Sequence, residues 1–474
     1  VTGADARAGV LPRPSWSPRV SASGAVELAD TYDLAAATLA ANIVPGRDAT
    51  DPPQYVRAGA GYPDPWTRDA ALNAWDAVSL LAPDVAAATL RMVCEDGPAG
   101  RLVAQDAQWW DQIVWVVAAE RHVRATGDRE FLREAYGIGI RTLAVLDATR
   151  FDATSELYRG PALMQDGISG FPAPPARVPE GSSFVLDHPG TDIIACLSTN
   201  AVYVGALRAL AAMAGALGEP EAPRFDERAG ALATAIDTGL RDDARGAYGY
   251  LRHSDGTLDH SEEAAGVGLL AAFGVVPPAR AAALLRGLHR EPWGHVNVWP
   301  SFPRYDERRP GRHNVMCWPM VMGLVGLGAL EPAPEVARQV LDDLAALTVR
   351  GDRRFWEIHD ARTGAPSGGW QVDHEWPPLV DQTWSATAYL RLVHRGVLGL
   401  DPAIDGLRIA DTVLPGLGRV TADGVPWRGA TLDVVVDGEG PLAQVRLDGD
   451  DVTGDRHHVP ADLSGHHVLT ISRS

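Results

Sequence analysis

Apolar residues recur at helical spacing in segment after segment of this chain, as in Val202, Ala206, Leu210 and Met213, or Ile113, Val116 and Val117. The pattern predicts about twelve helices, near 26–43, 68–82, 84–95, 107–126, 129–149, 191–217, 224–240, 261–273, 277–288, 316–330, 334–348 and 381–397. Their connections alternate. Some are short, as at Pro83 and Leu330-Glu331-Pro332; others, 44–67, 150–190, 291–315 and 350–380, are long and loaded with Trp, Pro, Gly and Asp. Helical hairpins with short turns at one end and long loops at the other describe a toroid of helices, its long loops gathered on one face. Loops of that length in a compact domain are usually functional. Residues 1–25 read as an irregular lead-in, and near residue 400 the pattern changes. Leu407-Arg408-Ile409, Thr431–Val436, Ala443–Leu447 and His467–Ile471 run with β-branched residues between Gly and Asp turns. Residues 401–474 are therefore expected to form a small antiparallel β module.

The 474 residues exceed the usual size of a single core, and a net charge of −19 argues against nucleic acid and anionic membrane surfaces as partners. The chain contains no Lys, which removes Schiff-base chemistry and a lysine-anchored pyridoxal cofactor. Cys94, Cys196 and Cys317 lie far apart in apolar contexts and read as buried thiols, with neither a disulfide framework nor zinc spacing. No apolar run is expected to reach membrane-spanning length. Residue 1 is Val, and no signal-peptide pattern is seen; a bacterial cytoplasmic or secreted soluble protein is expected, its oligomeric state open.

The long loops hold the candidate chemistry. In Tyr62–Leu72, a Pro- and Asp-rich turn sets Trp66, Arg68 and Asp69 at the mouth of a helix, where they can bind a hydroxylated ring; the plain alternative is a helix cap paired with Arg68 on the surface. Asp166 is followed by Gly167, which permits close backbone approach, although Asp-Gly is also a common turn. Glu357 follows two aromatics at the start of another long loop, and Glu375 lies further along it. Two carboxyls on opposite walls of an aromatic pocket suit glycoside hydrolysis, one protonated and one ionised. Several of the 14 Trp residues sit in these loops, among them Trp66, Trp109, Trp110 and Trp376.

Taken together, these segments resemble the six-hairpin, or (α/α)6-barrel, glycosidases: trehalases, glucosidase I relatives, glucoamylases and debranching glucosidases. Trp66-Thr67-Arg68-Asp69 resembles their Trp-x-Arg-Asp, which holds the terminal sugar. Asp106–Trp110 with Ala125-Thr126-Gly127-Asp128 resembles an Asp-x-x-x-Trp helix and its Thr-Gly-Asp end. The Asp166 loop falls where the group keeps its general acid, before a helix with an Asn, here Ser198-Thr199-Asn200. Arg312-His313-Asn314 with Cys317-Trp318-Pro319, Glu357 with Thr363-Gly364, and Asp381–Ala386 resemble later motifs of the pocket. The sequence departs from the group in lacking the aromatic-rich Gly-Trp-Asp around the acid.

The resemblance implies a mainly α fold, an (α/α)6 toroid over 26–400 followed by the β module. It implies an exo-acting, inverting glycoside hydrolase on a short oligosaccharide or glycoside, first of all an α-linked glucoside. Asp166 would be the acid, with Asp106 and Asp111 as rivals, and Glu357 the base, with Glu375 as rival. Trp66, Arg68, Asp69, Trp109, Trp110, His313, Asn314, Trp318, Glu375, Gln382 and Trp384 would bind substrate. No cofactor or metal is required. The alternatives are a disaccharide phosphorylase of the same barrel type, a non-catalytic carbohydrate-binding toroid, and an isomerase or lyase using His313 or His359.

Overall fold

The computed structural model describes residues 12–104, 108–172, 181–306, 308–454 and 458–474. We number twelve helices among them: α1 (Val26–Asn42), α2 (Thr67–Asn73), α3 (Pro83–Met92), α4 (Val114–Thr126), α5 (Arg129–Arg150), α6 (Leu197–Leu217), α7 (Ala222–Gly239), α8 (Ala264–Ala272), α9 (Pro278–Gly287), α10 (Pro319–Ala329), α11 (Pro334–Val349) and α12 (Thr383–Leu392). Proline stands in the first turn of α3, α7, α9, α10 and α11, where its missing N–H costs nothing. Gly127 and Gly218 end α4 and α6 in the left-handed conformation. Asp128 caps α5, accepting from Glu130 N at 2.8 Å and Phe131 N at 2.9 Å. The Thr-Gly-Asp stretch is thus a helix-to-helix turn.

The two sets of helices differ in character. The even-numbered helices are buried on nearly every face, whereas α5, α7 and α9 bury one stripe. Contacts run from α2 to α4, α6, α8, α10 and α12, and α12 packs back on α2. The odd-numbered helices lie against this series: α3 on α2 and α4, α5 on α4 and α6, α7 on α6, α9 on α8 and α10, α11 on α10 and α12, and α1 on α12 and α11. Small residues let the buried helices approach. A Cβ at Gly323 of α10 would stand 2.6 Å from Ala388 Cβ of α12, and one at Gly328 would stand 2.1 Å from the Gly268 carbonyl of α8.

Two expectations about helices need correction. The segment 191–196 is not helical. The Thr191 hydroxyl bonds the Val185 and His188 carbonyls, and Ala195–Cys196 pairs with Leu251–Arg252, so α6 starts at Leu197. In addition, α6 is 21 residues long and apolar enough to cross a membrane by length and composition. Its apolar surface is instead covered by α4, α5, α7 and α8, which identifies it as a core helix. All three cysteines are buried free thiols.

Strands β1 (Arg19–Ala22), β2 (Leu400–Ala403), β3 (Gly406–Ile409), β4 (Val420–Trp427), β5 (Gly429–Asp437), β6 (Leu442–Leu447), β7 (Asp450–Asp451), β8 (His458–Pro460) and β9 (Ser464–Arg473) form two sheets, ordered β1-β4-β5-β9-β6-β7 and β2-β3-β8. The larger sheet departs from the antiparallel expectation because β5 and β9 pair in parallel, from Gly429↔Ser464 to Asp437↔Ser472. The intervening β6 forms a hairpin-like partner on the far side of β9. β1 also lies inside the stretch expected to be irregular; it pairs with β4 from Arg19↔Asp423 to Ala22↔Val420.

Candidate active site

The long loops at the entrances to α2, α6 and α12 meet around a cavity of about 240 Å³. Each loop is held by the start of the following helix. Leading into the Asp166 loop, the Asn200 side chain accepts from Tyr158 N at 2.8 Å and donates to the Tyr158 and Cys196 carbonyls. The Ser198 hydroxyl accepts from Leu163 N, and the Thr199 hydroxyl donates to the Pro161 carbonyl. The Asp166 carbonyl accepts from Val185 N, and Ile168 N donates to Ser183 O, so the loop is braced on a second strand-like segment. Glu357 is fixed by its own N–H to the Leu379 carbonyl, and the Ser385 hydroxyl of α12 donates to Trp356 O.

Gly167 explains the Asp-Gly pair. A Cβ there would stand 2.2 Å from Gln371 Oε1 and 2.3 Å from His313 Cδ2. The backbone beside Asp166 is therefore pressed against two side chains of the pocket, and only glycine leaves them room.

Asp166 and Glu357 both line the cavity, each beside its own guanidinium. Arg68 lies with Nη2 3.9 Å from Asp166 Oδ1. Its Nη1 donates to Asp111 Oδ2 at 2.8 Å and to the Leu163 carbonyl at 2.9 Å. Arg312 Nη2 donates to Glu357 Oε2 at 2.6 Å, and its Nη1 donates to the Gly368 carbonyl. The Tyr62 hydroxyl donates to the other Glu357 oxygen at 3.3 Å; burial, then the Glu357 charge, raise this phenol above its ordinary value.

Burial pushes the Asp166 carboxyl up, but Arg68, His313 and Arg312 outweigh it and hold the group below its ordinary value. His313 is itself pushed down to about 4 by burial, so its ring is neutral at neutral pH. The arginines are then the cations that act on Asp166. His313 Nδ1 bonds the Met164 carbonyl at 3.0 Å, which places the proton on Nδ1 in the neutral ring. Its Nε2 lone pair lies 3.5 Å from Asp166 Oδ1, positioned to accept from a protonated carboxyl.

Of the residues singled out from sequence, Asp166, its rival Asp111, Glu357, Trp66, Arg68, Asp69, His313, Trp318, Gln382 and Trp384 line this cavity. Arg68 and Asp69 are both buried and Arg68 pairs with Asp111, so the alternative of a surface helix cap does not hold. Five of the described ones do not line it. Trp110 is wholly buried in a small apolar cluster with Ile168 and Phe171, behind the wall. Trp109 turns its Nε1 to the Arg159 carbonyl under the Arg150 guanidinium. Asn314 is buried beneath the His313 backbone, where its N–H bonds the Gly311 carbonyl. Glu375 is exposed at a two-residue strand and accepts from the Ser367 hydroxyl. Asp106 lies outside the described residues. His359 is buried with Nδ1 on the Gly364 carbonyl and is not among the cavity's lining residues.

Among the lining residues that sequence reasoning missed are Tyr62, Arg312 and Gln371. Tyr62 and Arg312 stand inside segments already picked out by motif, so their signal was proximity. Gln371 lies in the 350–380 loop, whose Trp content marked it as a whole; Trp376 of the same loop, named from sequence as a loop aromatic, lines the cavity.

Residues 179–385 match the family model of the mannosylglycerate hydrolase MGH1-like glycoside hydrolase domain. No curated protein matches the chain by sequence. Among solved structures, a sialidase superposes with a TM-score of 0.71 at 15% identity, over 94% of this chain and 42% of its own. The GH78 family rhamnosidase of Bacillus sp. GL1 gives 0.61 at 16% identity, over 97% and 44%. The GH63 mannosylglycerate hydrolase from Thermus thermophilus, in complex with Tris and D-glycerate, gives 0.54 at 18% identity, over 76% of this chain and 99% of its own. The chain thus spans less than half the length of the sialidase and rhamnosidase chains, and the likeness to all three is one of fold.

Proposed function

We propose that this chain, which carries a glycoside hydrolase domain on a six-hairpin glycosidase-type fold, is an exo-acting glycoside hydrolase that inverts the anomeric centre. The observation that carries the reading is the meeting of Asp166 and Glu357 in one aromatic-lined cavity, each beside a different arginine. The closed contact order of the even-numbered helices supports an (α/α)6 toroid over 26–400, with 401–474 as an accessory β module.

In this reading Asp166 protonates the glycosidic oxygen, and Glu357 takes a proton from the water that attacks the opposite face of the sugar. The two carboxyls should then stand roughly 6.5–9.5 Å apart to admit that water. Arg312 and Tyr62 hold the two Glu357 oxygens and so orient the base. Asp69 with Arg68 binds hydroxyls of the terminal sugar, and Trp318 and Trp384 exclude water from its apolar faces. The small cavity suits one ring with its leaving group at the mouth, where Trp66 is 39% exposed. The substrate is a short oligosaccharide or glycoside; an α-linked glucoside comes first on the family resemblance alone.

Because the arginines hold Asp166 low before substrate binds, the reading makes a further demand. Its proton affinity must rise once a sugar displaces water around it. The alkaline limb of kcat should therefore lie at higher pH than that of kcat/KM.

The test is a screen of di- and oligosaccharides, with NMR to read the product anomer. Asp166→Asn and Glu357→Gln should each lower kcat by about 10²–10⁴-fold, with unchanged circular dichroism. Near-normal activity in either variant removes that residue from its role. A retained anomer defeats direct displacement, and turnover only with phosphate makes the enzyme a phosphorylase.

A further inference from the structure

Resting on the glycosidase reading above, we infer that the pocket selects glycosides uncharged in both sugar and leaving group, and discriminates against those bearing a carboxylate. Among the described residues lining the cavity, two guanidiniums, Arg68 and Arg312, face four carboxyls, Asp69, Asp111, Asp166 and Glu357.

Both guanidiniums are already engaged by those carboxyls. Arg68 holds Asp111 at 2.8 Å and lies 3.9 Å from Asp166, and Arg312 holds Glu357 at 2.6 Å. The side chains of Arg68, Arg312, Asp111 and Glu357 are all nearly buried, between 2% and 9% exposed. An incoming carboxylate would compete with a resident one for either arginine. The displaced charge would be left buried and unpaired, which is strongly unfavourable. His313 offers no further cation: its Nδ1–H is committed to the Met164 carbonyl, and burial keeps the ring neutral at neutral pH.

The rest of the polar lining is uncharged. Trp376 Nε1, Trp384 Nε1 and Gln382 Oε1 are buried and have no hydrogen-bond partner among the described residues. Hydroxyl groups, which both donate and accept, satisfy two indole donors and an amide acceptor together; a carboxylate, which only accepts, does not. The contrast is with the Thermus neighbour, whose structure holds D-glycerate, a carboxylic acid. The fold is shared, while the charge of the ligand follows from the side chains of this pocket.

The wild-type protein is titrated calorimetrically with D-glucose and D-mannose and with their C6 carboxylates, D-glucuronate and D-mannuronate. It is also assayed on α-glucosylglycerol beside α-glucosylglycerate, and on the two mannosyl counterparts. Each neutral member should outperform its anionic twin by about 30- to 100-fold, the scale of one uncompensated charge pair after screening. The gap should narrow as salt is raised. An anionic member that equals or exceeds its neutral twin in either readout overturns the inference. Binding of neutral sugars over uronates without turnover of any glycoside upholds it and defeats the hydrolase reading. Failure of every sugar to bind defeats both.

Discussion

Substituting Gly167 by alanine tests the geometry around the proposed acid. The new Cβ would lie 2.2 Å from Gln371 Oε1, 2.3 Å from His313 Cδ2 and 2.6 Å from His313 Nε2. The imidazole cannot swing aside freely. Its Nδ1 is bonded to the Met164 carbonyl at 3.0 Å, its backbone N–H to the Ser169 hydroxyl at 3.1 Å, and its ring centroid lies 5.0 Å from that of Trp318. Restoring ordinary contact requires a displacement of about 1 Å, which at a catalytic centre costs up to roughly 10²-fold in rate. Overpacking of this kind costs about 1–3 kcal/mol of stability. The assay is kcat/KM on the best substrate of the screen, with urea unfolding on the same preparations. Gly230→Ala is the control. Gly230 lies within α7 with nothing within 4 Å of its Cβ position, so the same substitution there should stabilise by about 0.5–1 kcal/mol and leave activity alone. If Gly167→Ala keeps more than half of the wild-type kcat/KM, the Asp166 backbone is not packed against His313 and Gln371 as argued.

Glu263 offers a test by pH. It is fully buried, and burial pushes its carboxyl up to about 7 against hydrogen bonding from Ser198. A carboxyl raised on folding loses stability as pH climbs from its ordinary value of 4.5 to about 7, because only the unfolded chain ionises freely there. Glu263→Gln, which keeps the acceptor for Ser198 N, should therefore stabilise the protein at pH 8 by up to about 3 kcal/mol and make little difference at pH 4; equal effects at both pH values in urea unfolding would count against it. Glu375→Ala should change kcat/KM by less than about twofold and stability by less than about 0.5 kcal/mol, since Glu375 is exposed with the Ser367 hydroxyl as its side-chain partner. A large loss of activity would return it to the list of bases.

Much of the helical succession could be read because each buried helix repeats apolar residues and is punctuated by Pro, Gly or Asp. The reading slipped where tertiary contacts overrode local pattern. Thr191–Cys196 looks like the start of a helix, yet the Thr191 hydroxyl donates to the Val185 carbonyl and Ala195–Cys196 pairs with Leu251–Arg252. β4 lies outside the strand segments read from sequence; it holds Asp423-Gly424 and Pro426, residues that disfavour strand, and accommodates them with a bulge between Ala422 and Val425. The motif order singled out Asp166, Glu357, Arg68 and Asp69, which line one cavity. It could not say which way an aromatic points, so Trp110 was placed in the pocket although it packs behind the wall. Nor could local sequence show that Arg312 would reach Glu357, 45 positions further along the chain.

One consequence concerns how the pocket comes into being. Its walls straddle the junction of α2 and α12, the first and last helices of the buried series. Gly59 pairs with Gln382, Thr383 N bonds the Ala58 carbonyl, Tyr62 reaches Glu357, and the Arg68 guanidinium lies 5.7 Å from the Trp384 ring. A chain in which these two ends have not met therefore lacks a complete cavity, whatever helices it has formed. Recovery of activity reports the joining of distant ends of the sequence, whereas recovery of helicity reports only the segments between them.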